Sequence, residues 1–387
     1  MKPSTKIAEE TYYQALITDD YVYDIPFTES IKYIGSKLNL IPQIYNIVYP
    51  LKPMVIFDGF SGSTRVSQAF ARLGYKVISN DVATWSKILA KCYLKAEETH
   101  SYYNEILREL NSLESKKGWF SEHYGGYDND GSAIHADGLK KPFQMHNTMK
   151  LDAIRERIDA LKLSEVDKAV AITSLLLALD SVDSTVGHFS SYLSRWSARS
   201  YNALTLKVPA LIRSGISHDI YQQDVFSVIP SVNCDLAYFD PPYGSNNEKM
   251  PPSRVRYSAY YHLWTTVCNN DQPDIFGKAM RRKDSSDTVN PSLFEEFRKD
   301  TAGVYIAVNA IEKLTQRTRA HYILLSYSSG GRATFEALHE VISRNGKLIR
   351  VESINYKKTV MANMTWTNDW VEQDTSDHHE YLFLIEK

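Results

Sequence analysis

The sequence is short of cysteine, of net charge and of long apolar runs. Its three cysteines, Cys92, Cys234 and Cys268, stand far apart. That number and spacing give neither a disulfide framework nor a metal site, so reduced thiols in a cytosol are expected. The formal charge is −2 over 387 residues. No global basic signature exists, and a polyanion would have to be met by local patches. The longest apolar stretch, Ala169 to Leu179, is broken by Thr173 and Ser174. It is too short to span a bilayer and reads as a core helix. No signal-peptide pattern opens the chain, so a cytoplasmic protein without membrane contact is expected. His123, His135 and His146 lack ligand spacing, and no metal is expected.

What is present centres on Asp240-Pro241-Pro242-Tyr243. The apolar run Leu236 to Phe239 before it reads as a buried parallel strand. The two prolines end that strand, since neither can donate to a ladder and both fix φ. Asp240 is thereby placed where a central strand runs out, the position at which open α/β sheets bind ligands. An acid, the Pro241 carbonyl and the Tyr243 ring held together there form a socket for a planar amine. The two oxygens accept the amine hydrogens and the ring stacks.

Upstream, Val55 to Phe57 reads as a strand, Asp58-Gly59-Phe60-Ser61-Gly62-Ser63 as a turn, and Thr64 to Leu73 as a helix with Val66, Ala69, Phe70 and Leu73 facing in. Gly74 suits the left-handed position after a helix. Lys76 to Ser79 is a second strand, followed by Asn80 and Asp81. This βαβ unit lacks the G-x-G-x-x-G spacing of a dinucleotide site, and Asp58 would repel a pyrophosphate. An acid there suits an α-ammonium group, and Asp81 suits ribose hydroxyls. The pattern fits S-adenosylmethionine better than a nicotinamide dinucleotide.

Gly35-Ser36-Lys37 precedes a helix with Leu38, Ile41, Ile44, Tyr45 and Val48 on one face. It reads either as a capped surface helix or as amides and a lysine lining a small-molecule pocket. Residues 84 to 219 are mostly helical in pattern: Trp85 to Glu98, Tyr102 to Leu113, Leu151 to Leu161 and Val166 to Leu179, with a long loop from Gly118 to Thr148. Arg195, Trp196, Arg199, Tyr201, Lys207 and Arg213 interleave charge with aromatics. They suit either phosphate contacts with stacking or a solvated amphipathic segment. His218 to Asp224 reads as a strand. Asp224 is either a strand-end turn residue or an acceptor for an adenine amine, with Val225 and Phe226 beside it. Residues 244 to 300 form a loop-rich, basic and aromatic flap carrying Arg254, Arg256, Tyr257, Tyr260, Tyr261 and Trp264, expected to order on binding. A helix over 304 to 319, the strand Tyr322 to Tyr327, a helix from Thr334 to Ser343 and strands Lys347 to Ile354 and Glu380 to Ile385 complete the chain.

Three elements in this order resemble one family. They are Lys32-Tyr33-Ile34-Gly35-Ser36-Lys37 (K-x-x-G-[GS]-K), the turn Phe57 to Ser63, and, after a long insertion, Asp240 to Tyr243. The chain is similar to the DNA adenine (N6-amino) methyltransferases of the alpha motif order, the Dam-like type, and most to methylases of type II restriction-modification systems. The later run YILLSYSS adds to the likeness, which covers roughly residues 30 to 387. It implies a Rossmann-like α/β class I methyltransferase fold, with a mixed seven-stranded sheet, helices on both faces and a largely helical target-recognition insertion. The expected division is 1–83 (arm and cofactor turn), 84–219 (insertion for target recognition) and 220–387 (the rest of the catalytic unit, with the flap).

By the same resemblance the catalytic residues are Asp240, Pro241, Pro242 and Tyr243. The cofactor set is Tyr33, Lys37, Phe57, Asp58, Gly59, Phe60, Ser61, Gly62, Ser63, Asp81, Asp224, Val225 and Asp240. DNA contacts are expected from Arg195, Arg199, Lys207, Arg254 and Arg256. The implied cofactor is S-adenosylmethionine, leaving as S-adenosylhomocysteine. The implied partner is double-stranded DNA, and the resemblance also allows a cognate restriction endonuclease. One departure is Ser63, where the family's turn more often carries a second glycine. A methyltransferase on RNA and a catalytically silent DNA-binding subunit are the competing readings.

Overall fold

Alternation along the strands sets the architecture. Ile56, Val77, Leu236, Tyr238, Leu324 and Leu382 point to one face of a sheet. Phe57, Ile78, Ala237, Phe239, Ile323, Leu325 and Phe383 point to the other. A sheet apolar on both faces must be covered on both. In the computed structural model, which describes residues 13–18, 21–244, 256–286, 292–355 and 379–387, it is.

The seven strands of that sheet are β1 Val55–Asp58, β2 Lys76–Asn80, β3 Asp219–Tyr221, β4 Leu236–Phe239, β5 Tyr322–Ser328, β6 Lys347–Asn355 and β7 His379–Glu386. They lie in the order β3-β2-β1-β4-β5-β7-β6. The first five are parallel to their neighbours. Strand β7 runs antiparallel between β5 and β6. All four residues of β4 are buried, as a central strand with a partner on each side requires.

The helices are α1 Ile41–Val48, α2 Arg65–Arg72, α3 Thr84–Lys95, α4 His100–Ser112, α5 Trp119–Tyr124, α6 Met145–Ala160, α7 Glu165–Val182, α8 Val225–Val228, α9 Tyr257–Tyr260, α10 His262–Asn269, α11 Ile306–Arg317 and α12 Phe335–Asn345. Three caps fix starts within a residue or two of the sequence expectation. Thr99, Ser164 and Thr334 each accept from a first-turn amide with the side-chain hydroxyl. Gly74 ends α2 at φ 88°, as expected. Helices α3, α4, α6 and α7 bring Leu89, Tyr93, Leu107, Ile154 and Leu175 into the same core as Ile56 and Tyr238. On the opposite face α8, α11 and α12 contribute Val228, Ile311 and Leu338.

Several local expectations need correction. Leu38 is exposed, while Ile41, Ile44, Tyr45 and Val48 are buried; Leu38 falls in a 3-10 turn ahead of α1, out of phase with its face. Leu73, which follows the last residue of α2, is only half buried. The stretch from Gly118 to Thr148 is not one loop. It holds α5, a parallel pairing of Gly125–Gly126 with Phe143–Gln144, and the start of α6. Glycines and polar residues masked those short elements. The strand read over His218 to Asp224 covers only Asp219–Tyr221. Gln223 turns away and donates its amide to Asn80 Oδ1 at 3.2 Å, and Asp224 caps α8. The described part of the flap is folded, with Tyr261 and Trp264 in the core.

Candidate functional site

The register of the parallel strands brings the acids together. Asp58 ends β1 opposite Tyr238 of β4 and Ser79 of β2. Asp240 follows two residues after Tyr238, and Asp81 one residue after β2. All three line one cavity of about 560 Å³ at the carboxyl ends of the strands. The same cavity is lined by Tyr33, Lys37, Gly59 to Ser63, Asp224, Val225, Phe226 and Pro241 to Tyr243. Of the expected cofactor and catalytic residues only Phe57 does not reach it; that side chain points into the core, edge-on to Phe239.

The turn after β1 is shaped by contact. A Cβ at Gly59 would stand 2.6 Å from the Phe239 ring, so any side chain there has to displace that ring. Gly62 takes φ 43° against Tyr33. Ser63 is not in the left-handed region; Thr64 is, at φ 62°. A β-branched residue there is a strained position of the kind that gathers at functional sites. Ser63 therefore needs none of glycine's backbone freedom.

Asp58 is buried, at 1% exposure. Oδ2 accepts from Ser67 Oγ at 2.6 Å, while Oδ1 has no well-formed hydrogen bond. Burial pushes the carboxyl up to about 7, with the Ser67 hydroxyl and the Phe60 amide offsetting only part, and the charges of Asp240 and Asp81 adding to the rise. Asp81 accepts from the Gly62 and Ala83 amides at 2.8 and 2.9 Å. It thus ties the turn to the end of β2, and burial raises its pKa against those amides. Asp224 is exposed and accepts from the Phe226 amide at 2.9 Å. Phe226 stacks on Phe294 at 5.6 Å.

At the other end of the cavity Lys37 is the hub. Its ammonium lies 2.9 Å from Asp240 Oδ1 and 3.0 Å from Glu380 Oε1. It donates to the Tyr243 hydroxyl at 3.2 Å and the Gly35 carbonyl at 3.3 Å. Burial alone would discharge it, but Asp240, Tyr243 and Glu380 outweigh that and hold it charged. Burial raises Asp240 to about 7; Lys37 opposes the rise and Glu380 adds to it. The Tyr243 ring stands edge-on to Tyr327 at 5.3 Å. Tyr33 stacks on Tyr257 and Tyr261 at 5.3 and 4.8 Å, so the K-x-x-G-S-K segment is clamped by the flap.

Glu380 and Phe294 were not among the residues read from the sequence. Glu380 left a signal there: it is in phase with the inward-facing Leu382 and Leu384, an acid where the pattern wants an apolar residue. Of the expected DNA contacts, Arg195 is exposed and reaches the Asp130 carbonyl at 3.4 Å. Arg199 is bound to Asp183 at 2.6 Å, which also takes Lys32 at 2.7 Å. Lys207 is exposed. Arg256 approaches the Glu295 carbonyl at 3.4 Å, and Arg254 lies outside the described residues. Among the described residues no group of His, Cys, Asp and Glu is arranged to hold a metal, and no helix is long and apolar enough to cross a membrane.

A mostly parallel sheet in this order, with acids at three strand ends around one cavity, defines the Rossmann-like methyltransferase class. A family profile described as D12 class N6 adenine-specific DNA methyltransferase matches residues 33–323. The chain belongs to that family. Curated relatives include Type II methyltransferase M.FokI of Planomicrobium okeanokoites, 26% identical over 92% of this chain and 52% of the relative. Modification methylase StsI of Streptococcus sanguinis gives the same three figures. Type II methyltransferase M.NlaIII of Neisseria lactamica is 26% identical over 92% of this chain and 99% of its own length. The chain thus spans about half the length of the first two.

Proposed function

We propose that this protein is a site-specific DNA methyltransferase acting on the exocyclic amine of a flipped-out adenine, with S-adenosylmethionine as methyl donor. It would work in the bacterial cytoplasm on double-stranded DNA, either in a restriction-modification system beside an endonuclease for the same site or alone. The observation that carries the reading is the pairing of Asp240 with Lys37 and Tyr243 in one cavity with the half-satisfied Asp58.

The residues fit the cofactor. Asp58 Oδ1 needs a donor, and an α-ammonium group supplies one. Asp81 and the Gly59–Ser63 turn would hold the ribose side, and Asp224, Val225 and Phe226 the adenine. S-adenosylmethionine supplies, when bound, a methyl on a sulfonium.

The target adenine cannot be reached inside a duplex and must leave the stack. Asp240 and the Pro241 carbonyl accept from its amine and localise the nitrogen lone pair, while the Tyr243 ring supports the base. As the nitrogen gains the methyl it gains positive charge, which the Asp240 carboxylate stabilises before one proton is shed. Asp240 is not a general base ahead of attack, because an aromatic amine is too weak an acid. Positioning and electrostatics carry the gain.

Expression in a methylation-free host, with single-molecule sequencing of its DNA, tests this. Methylated adenines in one short motif are expected, and Asp240→Ala should lower turnover by about 10²–10³-fold, the range for one lost charge-stabilising partner. Near-normal turnover in that variant would refute the mechanism. No methylation by a cofactor-binding wild type would refute the substrate.

A further inference from the structure

Strand β7 carries an acid that the reaction as described does not use. Leu384, Leu382 and Glu380 share one face of the sheet by alternation, the face of Tyr238 and Leu324. Glu380 is 6% exposed. A carboxylate so buried costs several kcal/mol unless it is paired and hydrogen-bonded. Oε1 is both: it accepts from Ser326 Oγ at 2.7 Å and faces the Lys37 ammonium at 3.0 Å. Ser326 sits on β5 two residues in register from Glu380, whose direct partner is Ser328, a diagonal pair on one face.

The charge count shows what this second acid adds. Lys37 and Asp240 at 2.9 Å cancel each other, and a cancelled carboxylate gives little to a nitrogen turning positive. Glu380 leaves the trio one negative charge in excess and holds the ammonium from a second side. We propose that Glu380 is a positioning residue: it anchors Lys37 so that Asp240 can turn its charge to the substrate amine. The inference rests on the adenine-methylating reading above and adds to it the residue that sets the charge of the base socket.

Asp240 is faced by Lys37 and Tyr33 from the K-x-x-G-S-K segment, Asp58 of β1, Tyr238 and Tyr243 of its own strand and turn, Tyr257 of α9 and Glu380 of β7. Glu380 is the negative charge that Glu380→Gln removes while leaving its shape. Asp240 then ionises more easily, so the acid limb of kcat/KM moves to lower pH. At the plateau, kcat falls roughly 10- to 100-fold, the scale of a displaced catalytic group, with KM for DNA little changed. Glu380→Asp keeps the charge but withdraws it from Lys37. Its acid limb stays in place while kcat falls by less.

The experiment is steady-state methylation of a duplex bearing the methylated motif, across pH, for wild type and both variants, with thermal melts and cofactor titration alongside. A shifted limb in Glu380→Gln and an unshifted, slower Glu380→Asp support the proposal. Wild-type kcat in a folded Glu380→Gln, or a limb that does not move, overturns it alone. If Glu380→Gln does not fold, Glu380→Asp decides: wild-type turnover there also overturns it. A wild type that methylates no adenine overturns this proposal together with the reading it rests on.

Discussion

Asp58 holds its carboxyl at about 7, chiefly through burial. An acid whose pKa is raised in the folded chain binds more protons there than in the unfolded one. Its contribution therefore weakens the fold as pH climbs from the ordinary carboxylate range to about 7, and is neutral below that range. An α-ammonium at Oδ1 would reverse the rise and drive the proton off. Titration of S-adenosylmethionine in buffers of different ionisation enthalpy should show proton release that fades between about pH 6 and 8. Asp58→Asn should bind more weakly and lose that release. Asp240 also titrates near 7, so release that persists unchanged in Asp58→Asn would move the effect to Asp240.

Among elements, the turn between β1 and α2 is the least tolerant. Gly59→Ala puts a methyl 2.6 Å from the Phe239 ring, on the strand that carries Asp240. Overpacking of that kind costs about 1–3 kcal/mol, and the displaced strand end should also weaken cofactor binding. Urea unfolding with a cofactor titration checks both, and an unchanged variant would mean that the ring has room to move. This turn was readable in the sequence because glycine, an acid and strand-length apolar runs each leave a local mark. The strand ends at Asp58, Asp81 and Asp240 were readable for the same reason. Asp224 was read at the end of a strand running from His218, yet pairing with β2 stops at Tyr221, a tertiary fact. Phe294 lines the cavity from 54 residues beyond Asp240, and Glu380 meets Lys37 from 140 residues beyond it; no local pattern gives that proximity. Arg199 was singled out by charge next to aromatics, a pattern that does not reveal its partner, the buried Asp183.

For the whole molecule, that acid is a strut. Asp183, at 1% exposure, takes Lys32 from the segment before β1 and Arg199 from the segment after α7. Asp183→Ala strips a shared partner from two cations. A loss of about 3 kcal/mol is expected, the low end for a broken buried pair because both cations keep some water. A melt that is unchanged would show the two cations to be satisfied without it.

The core that joins α3, α4, α6 and α7 to the sheet is continuous. Leu89, Tyr93 and Leu175 share one apolar core with Ile56 and Tyr238, together with Ile44 of α1, Phe70 of α2 and Trp264 of α10. Residues 84–219 are therefore not a cassette. Shuffled by recombination into another member of the family, they would arrive with half a core and meet a sheet shaped for different side chains. An exchange of that stretch would have to carry the facing side chains of the sheet with it.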